Sequence, residues 1–141
     1  MVRIMILAAG FSLFYSFSVN AQQTGKIEYP SLGISFTIPD GWVGYETEDA
    51  FLMGSETIAG LIILTLNDVE SMDELRREAL SGISEGPGTE LKPVGEIENI
   101  GIIGLSVGLE GMLEGNNVKG YAAGILNQFG SGVTILVLTS P

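Results

Sequence analysis

The sequence predicts an α+β domain, an antiparallel β-sheet meander with one helix packed on it. Three observations predict it. Several segments alternate apolar and polar residues with period two, the mark of half-buried strands. Two runs, LIILTL at 61–66 and VTILVLT at 133–139, are uncharged and rich in β-branched residues, as buried strands are. Only residues 71–83 carry both a helix cap and an apolar stripe at helical spacing.

Residues 1–21 have the form of a secretory signal. Arg3 supplies the positive n-region, residues 4–19 are apolar and uncharged, and Val19 and Ala21 are small at −3 and −1. Cleavage is expected between Ala21 and Gln22. The apolar stretch is interrupted by Gly10, Ser12, Ser16 and Ser18 and is short for a membrane span, which needs about 20 apolar residues. The expected product is an exported domain over 22–141, periplasmic or extracellular, with no membrane span after signal removal.

The elements follow in order. Lys26–Tyr29 alternates weakly and is turned by Pro30-Ser31-Leu32-Gly33 onto GISFTIPDGW at 33–42. There Ile34, Phe36 and Ile38 face one way and Ser35 and Thr37 the other, and Pro39 with Asp40-Gly41 ends the strand. This hairpin is expected to set the register of the sheet, with Trp42 in the core. Short strands follow at 42–46 and 50–54, and the apolar run 58–66 is a central strand. In the helix, Ser71 is the N-cap and Glu74 completes a capping box. Met72, Leu75, Ala79, Leu80 and Ile83 form the stripe, Asp73 can pair with Arg76 or Arg77, and Gly82 with Gly86-Pro87-Gly88 ends the helix. Residues 90–97 re-enter the sheet, with Pro93 requiring an edge or a bulge. In 105–113 the odd positions Leu105, Val107, Leu109 and Leu113 are apolar. Glu114-Gly115-Asn116-Asn117 turns the chain, 118–127 returns, Phe129 to Gly132 turns again, and 133–139 is the last strand. Ser140-Pro141 has the form of an N-cap with proline at N1. The expectation is a fragment or shortened form, with an amphipathic helix to follow and cover one sheet face.

Charge and composition restrict function. The 22–141 segment holds five basic and 17 acidic residues, a net charge of −12, which opposes binding to nucleic-acid phosphates or anionic headgroups. The chain contains no Cys and no His. Thiol nucleophiles, imidazole bases, the usual zinc ligands and a lipid-modified cysteine are thereby excluded.

Three patterns invite a chemical reading. Gly104-Leu105-Ser106-Val107-Gly108 spells G-x-S-x-G, but it lies within a strand pattern and has no histidine to take the serine proton. Gly104, Gly108, Gly111 and Gly115 match a helix-pairing spacing, but Glu110 and Glu114 interrupt any apolar host, and bulges or close strand approach explain the glycines better. Asn67, Asp68, Glu70, Asp73 and Glu74 cluster without calcium-loop spacing, and are read as a solvated loop and helix cap. No catalytic, cofactor-binding or metal-ligating residue is therefore assigned, and no cofactor is expected.

The order of GISFTIPDGW, LIILTL, SMDELRREA, GLSVGLEGMLEGNNVKGYAAGILN and GSGVTILVLTSP resembles the PsbP-like fold. It is most similar there to a group of small exported bacterial proteins of unassigned function. The resemblance covers essentially residues 27–141 and rests on structural patterns. It implies an α/β/α sandwich around an antiparallel sheet, with this chain stopping where the family pattern continues into a helix. It also implies a binding or accessory role. The expected function is thus a non-catalytic exported module for an unknown protein or small-molecule partner, with self-association expected through an uncovered sheet face. Two alternatives stand beside it: a hydrolase working through Asp/Glu carboxylates alone, or the N-terminal piece of a larger protein whose active site lies beyond Pro141.

Overall fold

β1 (Lys26–Tyr29) and β2 (Ile34–Thr37) pair antiparallel in the computed structural model, which describes residues 22–128 and 130–141. The expected signal segment, with Ala21 on the near side of the cut, lies outside the described residues. Gln22 is the first described residue, and its Nε2 donates to Tyr45 Oη at 2.8 Å. Between β1 and β2, Pro30–Leu32 forms one 3-10 turn closed by Gly33 in the left-handed region.

This hairpin corrects one expectation. It does not enter the main sheet but forms a two-stranded sheet of its own. The reason lies in its alternation. Ile27 and Ile38, with Phe36 beside them, pack onto Phe51, Met53, Leu64 and Val133 of the larger sheet, and Phe36 meets Phe51 edge-on at 5.0 Å. The hairpin is therefore a lid on a sheet face. Trp42 packs at the margin of the same cluster and is half-buried.

The main sheet holds β3 (Val43–Glu46), β4 (Phe51–Gly54), β5 (Leu61–Asn67), β6 (Ile83–Ser84), β7 (Glu90–Ile100), β8 (Gly104–Leu113), β9 (Asn116–Ile125) and β10 (Gly132–Thr139). Its order is β3-β4-β5-β10-β9-β8-β7-β6, and every neighbouring pair is antiparallel. It consists of two meanders, β3–β5 and β6–β10, that meet where β10 pairs with β5. The apolar run expected from Ile58 becomes a strand only at Leu61. Ser55 Oγ accepts from the backbone N–H of Thr57 and Ile58, which holds that stretch in a turn. β5 is then central, as expected.

The helix α1 (Met72–Ser81) connects the two meanders. Glu74 N–H donates to Ser71 Oγ at 3.2 Å, so Ser71 caps the helix as expected, while Glu74 Oε2 accepts from the N–H of Glu70 rather than of Ser71 and the reciprocal half of the box is displaced by one residue. Three further details differ. The helix stops at Ser81, because Gly82 takes φ +70° and a Cβ there would lie 2.4 Å from the Leu91 carbonyl oxygen. Ile83 consequently belongs to β6, and Leu80 is 60% exposed and off the stripe. Arg76 reaches Asn99 Oδ1 on β7 at 3.3 Å rather than Asp73.

β7 carries the expected irregularity, a register shift between Val94 and Glu98. β6 pairs only with Leu91 and Glu90, so Pro93 lies past its end on an edge that no other described strand pairs with. One face of the sheet bears a core from Leu52 through Leu61, Ile63, Leu136, Leu138 and Leu109 to Leu91, with Ala79 and Ile83 packed against it. The other carries the hairpin lid over β4, β5 and β10.

Candidate functional site: a cavity beneath the helix

Alternation and register together make a hollow. On β8, Leu105, Val107 and Leu109 face α1. Their partners on β9 are Gly124, Ala122 and Gly120. β10 sets Thr134, Leu136 and Leu138 opposite the same three small residues. A row of small side chains thus runs between two rows of larger ones. Leu75 of α1 fills the trough at Gly124, where an added Cβ would come within 2.4 Å of Leu75 Cδ1. Around Ala122 the described residues leave space open, and among them a cavity of about 560 Å³ lies between the sheet, α1 and the Gly82–β6 bend.

Leu105, Val107, Leu109, Ala122 and Leu136 supply the floor; Leu75, Glu78 and Ala79 supply the roof; Ser81, Ile83, Ser84 and Glu85 lie on the side of the bend. The size falls in the range of small-molecule sites, which are apolar with a few placed polar groups. Thr134, at the floor's margin, accepts from Asn67 Nδ2 at 3.0 Å, and Asn67 Oδ1 accepts from the Val69 N–H. The charged side chains of the lining are Glu78 and Glu85, and Oε2 of Glu78 is shielded from solvent.

The sequence patterns weighed for chemistry lie elsewhere. Ser106 sits mid-strand in β8, paired with Ala123 and on the face away from α1, so G-x-S-x-G forms no strand-to-helix elbow. Gly104, Gly108 and Gly111 are strand residues, with Gly115 in the following turn, and form no helix-pairing surface. In the acidic cluster, Asn67 turns inward to Thr134 and Glu74 serves the cap. Among the described residues no three His, Cys, Asp or Glu side chains are grouped to hold a metal, and no helix is long and apolar enough to cross a membrane.

Glu78 and Glu85 were not singled out by their sequence context. Glu78 carries one readable signal: it lies three residues after Leu75 and next to Ala79, which puts an acid on the buried helical stripe. Glu85 has no such signal, since only the turn at Gly82 brings it back to the sheet. Family models, curated proteins and solved structures give no match to this chain.

Proposed function

We propose that this chain is an exported, non-catalytic binding module, and that its ligand occupies the cavity beneath α1. The observation that carries this reading is the Ala122 hollow: an apolar volume of ligand size that the described residues leave unfilled. The absence of Cys and His from the sequence and the signal-like segment at 1–21 agree with it. Filling the hollow tests it. The 22–141 chain should bind the neutral apolar probe N-phenyl-1-naphthylamine saturably with unit stoichiometry. Ala122→Phe should abolish that binding while the circular-dichroism spectrum stays unchanged. Binding that persists in Ala122→Phe would overturn the reading.

Two carboxylates on one cavity support the hydrolase alternative. Turnover of any substrate that is lost in Glu78→Gln would replace the binding reading.

A PsbP-like α/β/α arrangement is the finer form of the fold that we propose. Half of the face opposite α1, over β7, β8 and β9, carries no element of the described chain, and a second helical layer would lie there. Reading the coding sequence past Pro141 tests this and the larger-protein alternative together.

A further inference from the structure

We infer that the tip of the β7–β8 hairpin is a lipid-contact site, which inserts isoleucine side chains into the surface of a zwitterionic phospholipid layer. The inference does not depend on the cavity or on what fills it.

Turns are ordinarily built from Gly, Asn, Asp, Ser and Pro. The one between β7 and β8 reads Ile100-Gly101-Ile102-Ile103, and Gly101, at φ +57°, supplies its left-handed residue. Ile102 is 90% exposed, Ile103 50% and Ile100 39%. At that exposure Ile102 adds almost nothing to the core, so folding does not account for a large apolar side chain there.

The neighbouring turn extends the apolar tip. Leu126 N–H donates to the Ile103 carbonyl at 2.7 Å, which joins the β9–β10 turn to this one. Neither segment carries a charge: there is none from Asn99 to Leu109, nor from Gly120 to Pro141. The acids Asp68 and Glu70 follow β5, which β10 and β9 separate from β8. Glu98 on β7 is set back from the tip, opposite Ser106.

Dimensions and area decide the occupant. The turn projects at most about 7 Å beyond the last rung, Ile100–Gly104, at the rise of an extended chain. That is within the ~5–10 Å to which apolar side chains enter a membrane interface. A specific protein interface buries roughly 1,000 Å² or more with good complementarity, which three partly exposed isoleucines on a protruding tip do not supply. A lipid surface needs no complementary pocket, and contact with it strengthens with the apolar area inserted. Charge then selects among lipids. With five bases against 17 acids over 22–141, an anionic surface repels the chain and a zwitterionic one does not.

The cysteine-free sequence makes a site-specific test direct. The 22–141 chain carrying Ile102→Cys, labelled there with the environment-sensitive dye NBD, should brighten when phosphatidylcholine vesicles are added. Asn117→Cys, labelled at the other end of β8 and β9, should not. The unlabelled chain should float with the same vesicles. Ile102→Ser should weaken that partition at least about fivefold, the order expected for withdrawing one inserted isoleucine. Its circular-dichroism spectrum should stay unchanged, because the side chain is exposed. Vesicles of equal parts phosphatidylcholine and phosphatidylglycerol should bind more weakly at low salt and approach the zwitterionic value as salt is added. No binding to phosphatidylcholine, a partition that Ile102→Ser leaves unchanged, or tighter binding to the anionic vesicles would overturn the inference. Brightening that follows protein concentration without lipid would assign the tip to a second copy of the chain and overturn it as well.

Discussion

Tyr29 shows how one side chain ties the two sheets together. Its phenol, at the end of β1, donates to Glu46 Oε1 on β3 at 2.9 Å, and its ring lies 6.3 Å from Phe36. Burial first, then the hydrogen bond and the charge of Glu46, push its pKa from 10.0 up to about 12. The folded state thus holds the Tyr29 proton more tightly than the unfolded one. The contribution to stability is fully present below pH 10, and is lost as pH rises through about 12, when a phenolate would face the Glu46 carboxylate. Urea midpoints taken between these limits should fall more for the native chain than for Tyr29→Phe. The difference isolates Tyr29 from Tyr45 and Tyr121. Equal falls in the two chains would show that the phenol does not anchor the hairpin.

At the scale of elements, the β8–β9 connection carries a backbone cost of its own. Its two turn residues, Glu114 and Gly115, have φ +53° and +81°, and Glu114 is the one described non-glycine residue with positive φ. Two-residue hairpins with both φ values positive favour Asn-Gly, and a glutamate in the left-handed region costs about 1–2 kcal/mol. Burial also raises the Glu114 pKa above 4.5, so at neutral pH the desolvated carboxylate opposes folding. Glu114→Asn removes both penalties and keeps the N–H that donates to Thr89 Oγ1. It should raise stability by about 0.5–2 kcal/mol in chemical denaturation, the range of a relieved turn residue. A lower midpoint would mean that the Glu114 side chain has a role of its own.

The same scale explains what could be read in the sequence. The N-cap at Ser71, the alternation in β8 and a turn within 114–117 are local, each fixed by residues a few positions apart, and each is found in the structure, the turn narrowed to Glu114-Gly115 because Asn116 and Asn117 pair in β9. Gly82 is a local stop signal and is found as one, but that Ile83 leaves the helical stripe for β6 was not legible, because it follows from pairing with Leu91 on another strand. The hairpin's place as a lid was hidden for a related reason: alternation gives a buried face but not the surface that buries it. The cavity was the least legible of all. It exists because Ala122 falls opposite Val107 and Leu136, and cross-strand register is set by pairing that no local pattern encodes.

For the whole molecule, an apolar strip competes with a large net charge. Val94, Gly108, Tyr121 and Val137 lie in one cross-strand row on the face opposite α1. The hairpin leaves their half of it uncovered, and Tyr121 is 66% and Val137 44% exposed. Where no helical layer covers it, a second copy of the chain suits this surface, since two such faces would bury both strips at once. The adjoining row Lys92, Glu110 and Lys119 alternates in sign, so the strip is bordered by charges that a facing copy can match. A net charge of −12 on each copy of the 22–141 chain opposes the approach, and salt screens that repulsion while leaving apolar burial intact. Self-association should therefore strengthen as salt is added, the reverse of an ion-pair interface. Sedimentation velocity should show monomer at low salt and a growing dimer fraction toward about 1 M, where the screening length falls to about 3 Å. Tyr121→Lys puts a charge in the strip and should hold the chain monomeric throughout. A monomer at every salt concentration, or a dimer that Tyr121→Lys leaves intact, would show that this face does not pair with itself.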